Sequence, residues 1–116
     1  MDLRSLVEEF AKNVAAQTDA IWRGDRKGGN KYAKRYIASY KNLRDHGKAG
    51  GDALAGLLTH SRMDVRVYAA ACLLSDRPEQ AKPVLEEAAK GEGLIPFEAS
   101  QALKHWEAGT WSLDFD

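Results

Sequence analysis

Apolar residues in this chain recur three and four positions apart, and no stretch alternates apolar with polar residues as a half-buried strand would. The clearest case is the first segment, whose apolar stripe comprises Leu3, Leu6, Val7, Phe10, Val14 and Ile21. Helices repeat every 3.6 residues and strands every two, so this spacing predicts an all-α protein. A chain of 116 residues can bury a core of its own, and we predict a single domain over residues 1–116.

Glycine, proline and capping residues divide the chain into six predicted helices. Their expected ranges are 2–22, 30–46, 52–58, 61–74, 76–90 and 96–108. Gly28 and Gly29 are expected to precede the second helix, with Asn30 as its cap. Ser61 and Asp76 are the expected caps of the fourth and fifth helices. Pro83 predicts that the fifth helix is kinked or begins again there.

The fourth predicted helix, VRVYAAACLL, is almost wholly apolar apart from Arg66. A helix that is apolar all round is typical of a buried position, so this segment should be the most buried. Cys72 lies within it and is the only cysteine, which excludes an internal disulfide. A buried free cysteine behaves as a small apolar residue, so we expect Cys72 to be inert.

Charge is distributed unevenly although the chain has a net charge of zero. Residues 23–48 carry nine Lys or Arg against Asp25 and Asp45, whereas the segments before and after are both acidic. On a helical wheel, Tyr36 and Tyr40 fall on the apolar side of the second helix and Tyr32 at its edge. The candidate partner-binding cations are Arg23, Arg26, Lys27, Lys31, Lys34, Arg35 and Lys41.

Three interpretations of this basic segment stay open. The cations form a solvated surface, bind an acidic protein, or bind nucleic acid. Recognition of nucleic acid by stacking requires aromatic rings exposed beside the cations, whereas the predicted pattern separates them. We therefore favour an acidic protein over nucleic acid as the partner of this segment.

No residue set has the pattern of an active site or a metal site. The three histidines, His46, His60 and His105, lie near predicted helix ends, and none has a Cys or His at ligand spacing. KGGN lacks the glycine spacing and the Lys-Ser/Thr pair of a phosphate loop. We predict a protein that is not an enzyme and has no cofactor. His60, in a turn, is the only histidine that we would test for a functional role.

The chain ends in an acidic tail, residues 110–116, which contains Trp111, Leu113 and Phe115. We expect the tail to fold back on the helices. The alternative is that Trp111 is an exposed anchor for a partner, which makes it a candidate binding residue. Trp106 continues an apolar stripe and is expected in the core.

The N-terminus lacks the features of a signal peptide, and no stretch approaches the roughly 20 apolar residues of a membrane span. A single cysteine fits a reducing compartment. These features predict a soluble, cytoplasmic protein.

The segment LLTHSRMDVRVYAAACLL resembles a HEAT repeat, through Leu57-Leu58, a turn, Asp64-Val65-Arg66 and Ala69-Ala70. In that family the aspartate and the arginine line the turns between repeats. The whole chain resembles a small uncharacterised bacterial family, catalogued as a domain of unknown function with the number two-zero-one-nine. The matching segments are 6–10 with Gln17, the Val65-Arg66 helix, 78–85 and 97–109.

This resemblance implies an armadillo-type fold, and we predict a right-handed stack of six helices of HEAT or armadillo type. It implies a binding role, and related small helical-repeat proteins are proposed to be immunity proteins that block toxins. The predicted function is a non-enzymatic protein-binding module, with toxin immunity as one possible setting. The alternative is weak nucleic-acid binding through residues 23–48.

Overall fold

The computed structural model describes residues 2–112, which contain six α-helices, one 3₁₀ helix and no strand. The α-helices are α1 (Leu3–Trp22), α2 (Arg26–Asp45), α3 (Lys48–Ala55), α4 (Met63–Leu73), α5 (Pro78–Ala89) and α6 (Leu94–Glu107). The 3₁₀ helix Gly56–Thr59 follows α3. The all-α prediction and the number of helices are confirmed for this part of the chain.

The helices form two compact units. The first unit, residues 2–57, contains α1, α2 and α3, and the second, residues 58–112, contains α4, α5 and α6. Within each unit, every helix packs against the other two.

The first unit is built on the apolar stripe of α1. Asp2 caps this helix by accepting a hydrogen bond from the Ser5 N–H at 2.8 Å. Phe10 is fully buried and packs edge-to-face with the Tyr36 ring, with centroids 5.7 Å apart and planes at 79°. Tyr36 and Tyr40 are both 8% exposed, which confirms the prediction that they belong to the core.

The second helix begins four residues earlier than predicted. Asp25, and not Asn30, is its N-cap, because the Asp25 carboxylate accepts a hydrogen bond from the Gly28 N–H at 2.9 Å. Gly28 and Gly29 therefore lie inside the first turn, where their poor helix propensity is overridden by the cap and by packing. Gly24 adopts a positive φ of 74° and ends α1, as predicted.

The third helix also begins early, at Lys48 instead of residue 52. Its backbone lies directly against α2, because a Cβ atom at Gly50 would collide with the main-chain carbonyl of Leu43. Only glycine allows two helices this approach. The segment predicted as the end of this helix is the 3₁₀ helix.

The second unit has a core of small side chains. Seven of the eleven residues of α4 are buried, the largest share of any α-helix in residues 2–112, which confirms the prediction for this segment. Its partners contribute mainly alanines. The buried alanines of this unit are Ala69, Ala70, Ala81, Ala88, Ala99 and Ala102.

Helix starts in the second unit differ from those predicted. Arg62 and Arg77 are the N-cap residues of α4 and α5, and neither makes a side-chain capping bond. Ser61 and Asp76 are therefore not caps. Pro83 lies inside α5, which does not begin again there.

The last helix begins at Leu94, two residues before Pro96. Trp106 near its end is half-buried and not a core residue. The Lys82 ammonium lies 5.4 Å from the centre of its ring, so one face of the indole meets a cation instead of apolar side chains.

Candidate functional site

The exposed side of α2 carries a ridge of four cations, Lys27, Lys31, Lys34 and Arg35, which we call the basic face. At about 100° per residue they fall within an arc of about 100°, roughly opposite the buried Tyr36 and Leu43. The early start of α2 places Lys27 on this ridge, whereas the sequence predicted it in a loop. Because each residue adds about 1.5 Å, the ridge is about 12 Å long.

The other predicted cations surround this ridge. Arg26 is exposed in the first turn of α2 and lies on its flank, and Arg23 is exposed just after α1. Lys41 is half-buried and is not without an interaction partner in the structure. The basic face itself therefore consists of the four exposed residues.

No carboxylate among residues 2–112 pairs with Arg26 or with any residue of the basic face. Arg23 does have such a partner, since its guanidinium lies 3.8 Å from Asp25. Like charges four residues apart, such as Lys27 and Lys31, destabilise a helix by about 0.2–0.5 kcal/mol per pair. Repulsion within the basic face therefore opposes the stability of α2.

One tyrosine departs from the predicted separation of aromatic rings and cations. Tyr32 is half-buried at the edge of the basic face. The Lys31 ammonium lies 5.7 Å from the centre of its ring, and the Arg35 guanidinium 5.9 Å. These contacts hold both cations close to an aromatic surface.

The histidines have local structural roles. His46 is the C-cap of α2. His60 accepts a hydrogen bond from the Arg62 N–H at its Nδ1, at 3.0 Å, and His105 Nδ1 lies 3.0 Å from the Thr110 hydroxyl. No cluster of three His, Cys, Asp or Glu within residues 2–112 is placed to hold a metal ion.

Cys72 is buried, as predicted, and desolvation raises the pKa of its thiol to about 12. Since the thiolate is the reactive form, burial suppresses nucleophilic chemistry at this position. Cys72 is part of the core of the second unit.

The Asp-Val-Arg segment stabilises the turn before α4. Asp64 is buried, and its two carboxylate oxygens accept hydrogen bonds from Arg62 at 3.0 and 3.1 Å. Arg66 donates to the carbonyls of His60 and Ser61 at 2.7 and 3.1 Å. These side chains hold the local backbone and are not available as a binding site.

Trp111 is half-buried, and its indole N–H has no hydrogen-bond partner in the part of the chain that the structure describes. Residues 113–116 lie outside the described residues, so the prediction of a folded-back tail remains a prediction. Trp111 belongs to the second unit, whereas the basic face belongs to the first.

Sequence reasoning did not identify the exposure of Trp22, which is 75% exposed at the end of α1. The helical wheel contained the signal. Trp22 is turned by about 100° from Ile21 and so leaves the apolar stripe.

Within residues 2–112, no helix combines the length and the apolar character needed to cross a lipid bilayer.

Comparison with models of known protein families gives no match. Comparison with curated protein sequences also gives none. Among solved structures, the chain is similar to the crystal structure of the protein RPA1889 from Rhodopseudomonas palustris CGA009, with a TM-score of 0.90 and 24% sequence identity. The match covers 98% of this chain and 95% of that one, and it shows a shared helical fold.

Proposed function

We propose that the protein is a non-enzymatic binding module whose basic face docks on an acidic surface of another protein. The observation that carries this proposal is the set of four exposed cations on one side of α2, which lack carboxylate partners among residues 2–112. An acidic partner would relieve their mutual repulsion and would be steered toward them during diffusion.

A single straight ridge suits a protein surface. A ridge about 12 Å long can cover only part of the roughly 800 Å² that each partner contributes to a standard interface. The basic face would therefore set orientation and association rate, and neighbouring side chains would supply most of the affinity.

The finer fold assignment in this proposal is a right-handed stack of HEAT or armadillo type. Sequential packing of the helices within each unit supports it, and so does the turn held by Asp64 and Arg66. The resemblance in sequence supports a bacterial family of unknown function and toxin immunity as a biological setting. We place the module in the cytoplasm, because one cysteine suits a reducing compartment.

Weak nucleic-acid binding is the second candidate, and one contact favours it. Tyr32 is flanked by Lys31 and Arg35, an arrangement in which a base could stack beside phosphate-binding cations. The ring is half-buried, and a single partly covered ring is a small stacking platform. An acidic protein therefore remains the favoured partner, and nucleic acid is the alternative.

The test uses the fourfold reversal of Lys27, Lys31, Lys34 and Arg35 to Glu. All four are exposed, so the variant should fold, which circular dichroism checks. A matched control reverses four exposed cations elsewhere, Arg4, Lys12, Lys90 and Lys104. We expect the wild type and the control to capture the same acidic proteins from a bacterial lysate, and the reversal to lose them.

Kinetics then decide whether the basic face acts as proposed. For a captured partner, the reversal should slow association more than it speeds dissociation. Equal capture by all three proteins, or an unchanged association rate, would contradict the proposal. The variants Cys72→Ala and His60→Ala should retain partner affinity, and a partner-dependent activity lost in either would indicate an enzyme.

Labelled single- and double-stranded oligonucleotides test the second candidate at about 50 mM salt. We expect no complex tighter than about 10⁻⁴ M, the weak end of non-specific binding. A micromolar complex that the fourfold reversal removes would establish nucleic-acid binding instead. Four phosphate contacts would give a slope of roughly −3 to −4 in log K against log salt.

A further inference from the structure

A pocket of about 290 Å³ lies in the first unit, between the end of α1 and the start of α2, and we call it the α1–α2 pocket. Four of its lining side chains are polar or charged, those of Gln17, Asp25, Arg26 and Asn30, and Ile21 is its one apolar side chain. Its volume is at the lower end of the roughly 300–1,000 Å³ of small-molecule sites. The pocket therefore has the size for a small ligand, and its lining requires a polar one.

Gln17 supplies the observation that points to a ligand. Its side-chain oxygen Oε1 is buried and has no hydrogen-bond partner among residues 2–112. A buried acceptor without a donor destabilises a fold, and most such groups in native structures are paired. Gln17 lies one turn before Ile21 on α1, so both side chains reach the same wall of the pocket. A donor placed in the pocket beside Gln17 would complete its hydrogen bonding.

The two charged side chains of the pocket have opposite signs and are consecutive in sequence. Arg26 is exposed, and no carboxylate among residues 2–112 pairs with it. Asp25 accepts a hydrogen bond from the Gly28 N–H at 2.9 Å and lies 3.8 Å from the Arg23 guanidinium. A carboxylate has about four lone-pair sites, so Asp25 can accept a further hydrogen bond. The pocket thus offers a cation for an anionic group and acceptors for a cationic one.

Gly29 leaves room beside these groups. Outside the backbone of α2, a Cβ atom at Gly29 would have one neighbour within 4 Å, the Ile21 Cγ1 atom at 3.9 Å. Ile21 is 45% exposed, so a small apolar part of a ligand would cover it. The Asn30 side chain is exposed and has no hydrogen-bond partner in the described part of the chain. Its amide can both donate and accept, so polar groups surround a small space with one apolar wall.

We propose that the α1–α2 pocket binds a small zwitterion, an α-amino acid with an uncharged side chain. The carboxylate of the ligand accepts hydrogen bonds from the Arg26 guanidinium, whose planar fork matches it. The ammonium group of the ligand donates to Gln17 Oε1 and to the Asp25 carboxylate. The ligand side chain lies over Ile21 beside Gly29. This site does not use the basic face, so it goes beyond the proposed function and is tested independently of it.

The first experiment titrates ¹⁵N-labelled protein with L-alanine, L-serine, L-valine and L-glutamine, each in turn. We expect at least one of them to bind saturably with a Kd of about 1 mM or tighter. Binding should shift the amide signals of Ile21, Gly24 and Gly29, which line the pocket. The absence of a saturable shift with all four amino acids would overturn the proposal.

Two derivatives of the bound amino acid test each of its charges. The N-acetyl derivative lacks the ammonium group and the carboxamide derivative lacks the carboxylate, so each should bind at least about tenfold more weakly. Equal binding of the N-acetyl derivative would show an anion site only and contradict the proposal. Equal binding of the carboxamide derivative would contradict the role of Arg26.

Gln17→Leu removes the buried acceptor and keeps a side chain of similar size. It should weaken binding by about tenfold without lowering the melting temperature of the free protein, because Gln17 Oε1 accepts no hydrogen bond within residues 2–112. Unchanged binding, or a fall in melting temperature, would assign Gln17 to the fold and not to a ligand. Arg26→Gln should also weaken binding, and Arg4→Gln, exposed at the other end of α1, is its control.

Gly29→Leu fills the pocket from within and should abolish binding. Gly29→Ala is the matched control, because a methyl group fits without a clash and leaves most of the pocket open. Both changes replace a helical glycine with a better helix former, so α2 should stay intact. If Gly29→Leu binds the amino acid as the wild type does, the ligand does not enter the pocket and the proposal is wrong.

Discussion

The two units of this protein differ in both charge and core. Residues 1–57 carry eleven Lys or Arg against seven Asp or Glu, whereas residues 58–116 carry six against ten. A fold needs no such segregation, because each unit buries its own apolar residues. The asymmetry puts the basic excess in the first unit, which contains the proposed partner surface.

The cores differ in the size of their side chains. The first unit buries Leu6, Phe10, Tyr36, Tyr40 and Leu43, whereas alanine is the commonest buried residue of the second. Large side chains leave large cavities when they are truncated, and tightly packed alanines leave no room for anything larger. Stability in the two units is thus vulnerable to opposite kinds of substitution.

The largest effect is expected from Ala70→Arg in the second unit. Ala70 is fully buried, and an unpaired charge in a core costs several kcal/mol, out of a typical stability of about 5–15 kcal/mol. We expect loss of the folded state, measured by circular dichroism and thermal melting. Ala38→Arg is the control, because Ala38 is exposed on α2. A melting temperature for Ala70→Arg within a degree or two of the wild type would show that α4 is not buried.

The next-largest loss of stability is expected when a phenylalanine is truncated to alanine, a change that can be made in both units. Phe10→Ala truncates a fully buried ring in the first unit and should cost about 3–5 kcal/mol. Phe97→Ala in the second unit removes a ring that is 57% exposed and should cost less than about 1 kcal/mol. Urea denaturation measures both. Similar values would show that the ring of Phe10 contributes no more to the core of its unit than the exposed ring of Phe97 does.

A smaller loss of stability is expected at the close contact between α2 and α3 in the first unit. Gly50→Ala would force the backbones of α2 and α3 apart at Leu43, and overpacking of this kind costs about 1–3 kcal/mol. Gly56→Ala is the matched control, because no atom lies within 4 Å of its added Cβ. If Gly50→Ala is as stable as Gly56→Ala, the close approach of the two helices is not required.

Helix number and helix faces follow from apolar spacing, because burial of one stripe is a local property of the sequence. The starts of helices are harder to predict, because several nearby residues could each cap the same helix. Asp25 and Asn30 are both good caps, and Asp25 is the one used, since its carboxylate accepts a hydrogen bond from the Gly28 N–H. The same reasoning explains why Arg62, a poor cap, precedes α4, where it pairs with the buried Asp64.

The candidate site, like the fold, could be predicted only in part from the sequence. Lys31, Lys34 and Arg35 were identified from sequence as one solvent-facing stripe, because such a stripe is periodic, whereas Lys27 joins it only because α2 begins at Arg26. The pocket between the end of α1 and the start of α2 could not be predicted, since it depends on how the two helices pack together. Trp106 shows a further limit, because its apolar stripe did not reveal that Lys82 would lie over the ring.

The smallest effect concerns Glu98 of α6, where the second unit buries part of a charge. Desolvation raises the pKa of this carboxyl, and a hydrogen bond with Tyr68 acts in the opposite direction. A raised pKa means that the folded state holds the proton more tightly, so the stability associated with Glu98 is present at low pH and is lost as the pH rises through the folded-state pKa. Glu98→Gln mimics the protonated form. It should raise the melting temperature slightly at pH 7 relative to the wild type and leave it unchanged near pH 3, with Glu86→Gln as the control for the loss of one exposed carboxylate. A difference that is the same at both pH values would mean that burial does not penalise the charge at this position.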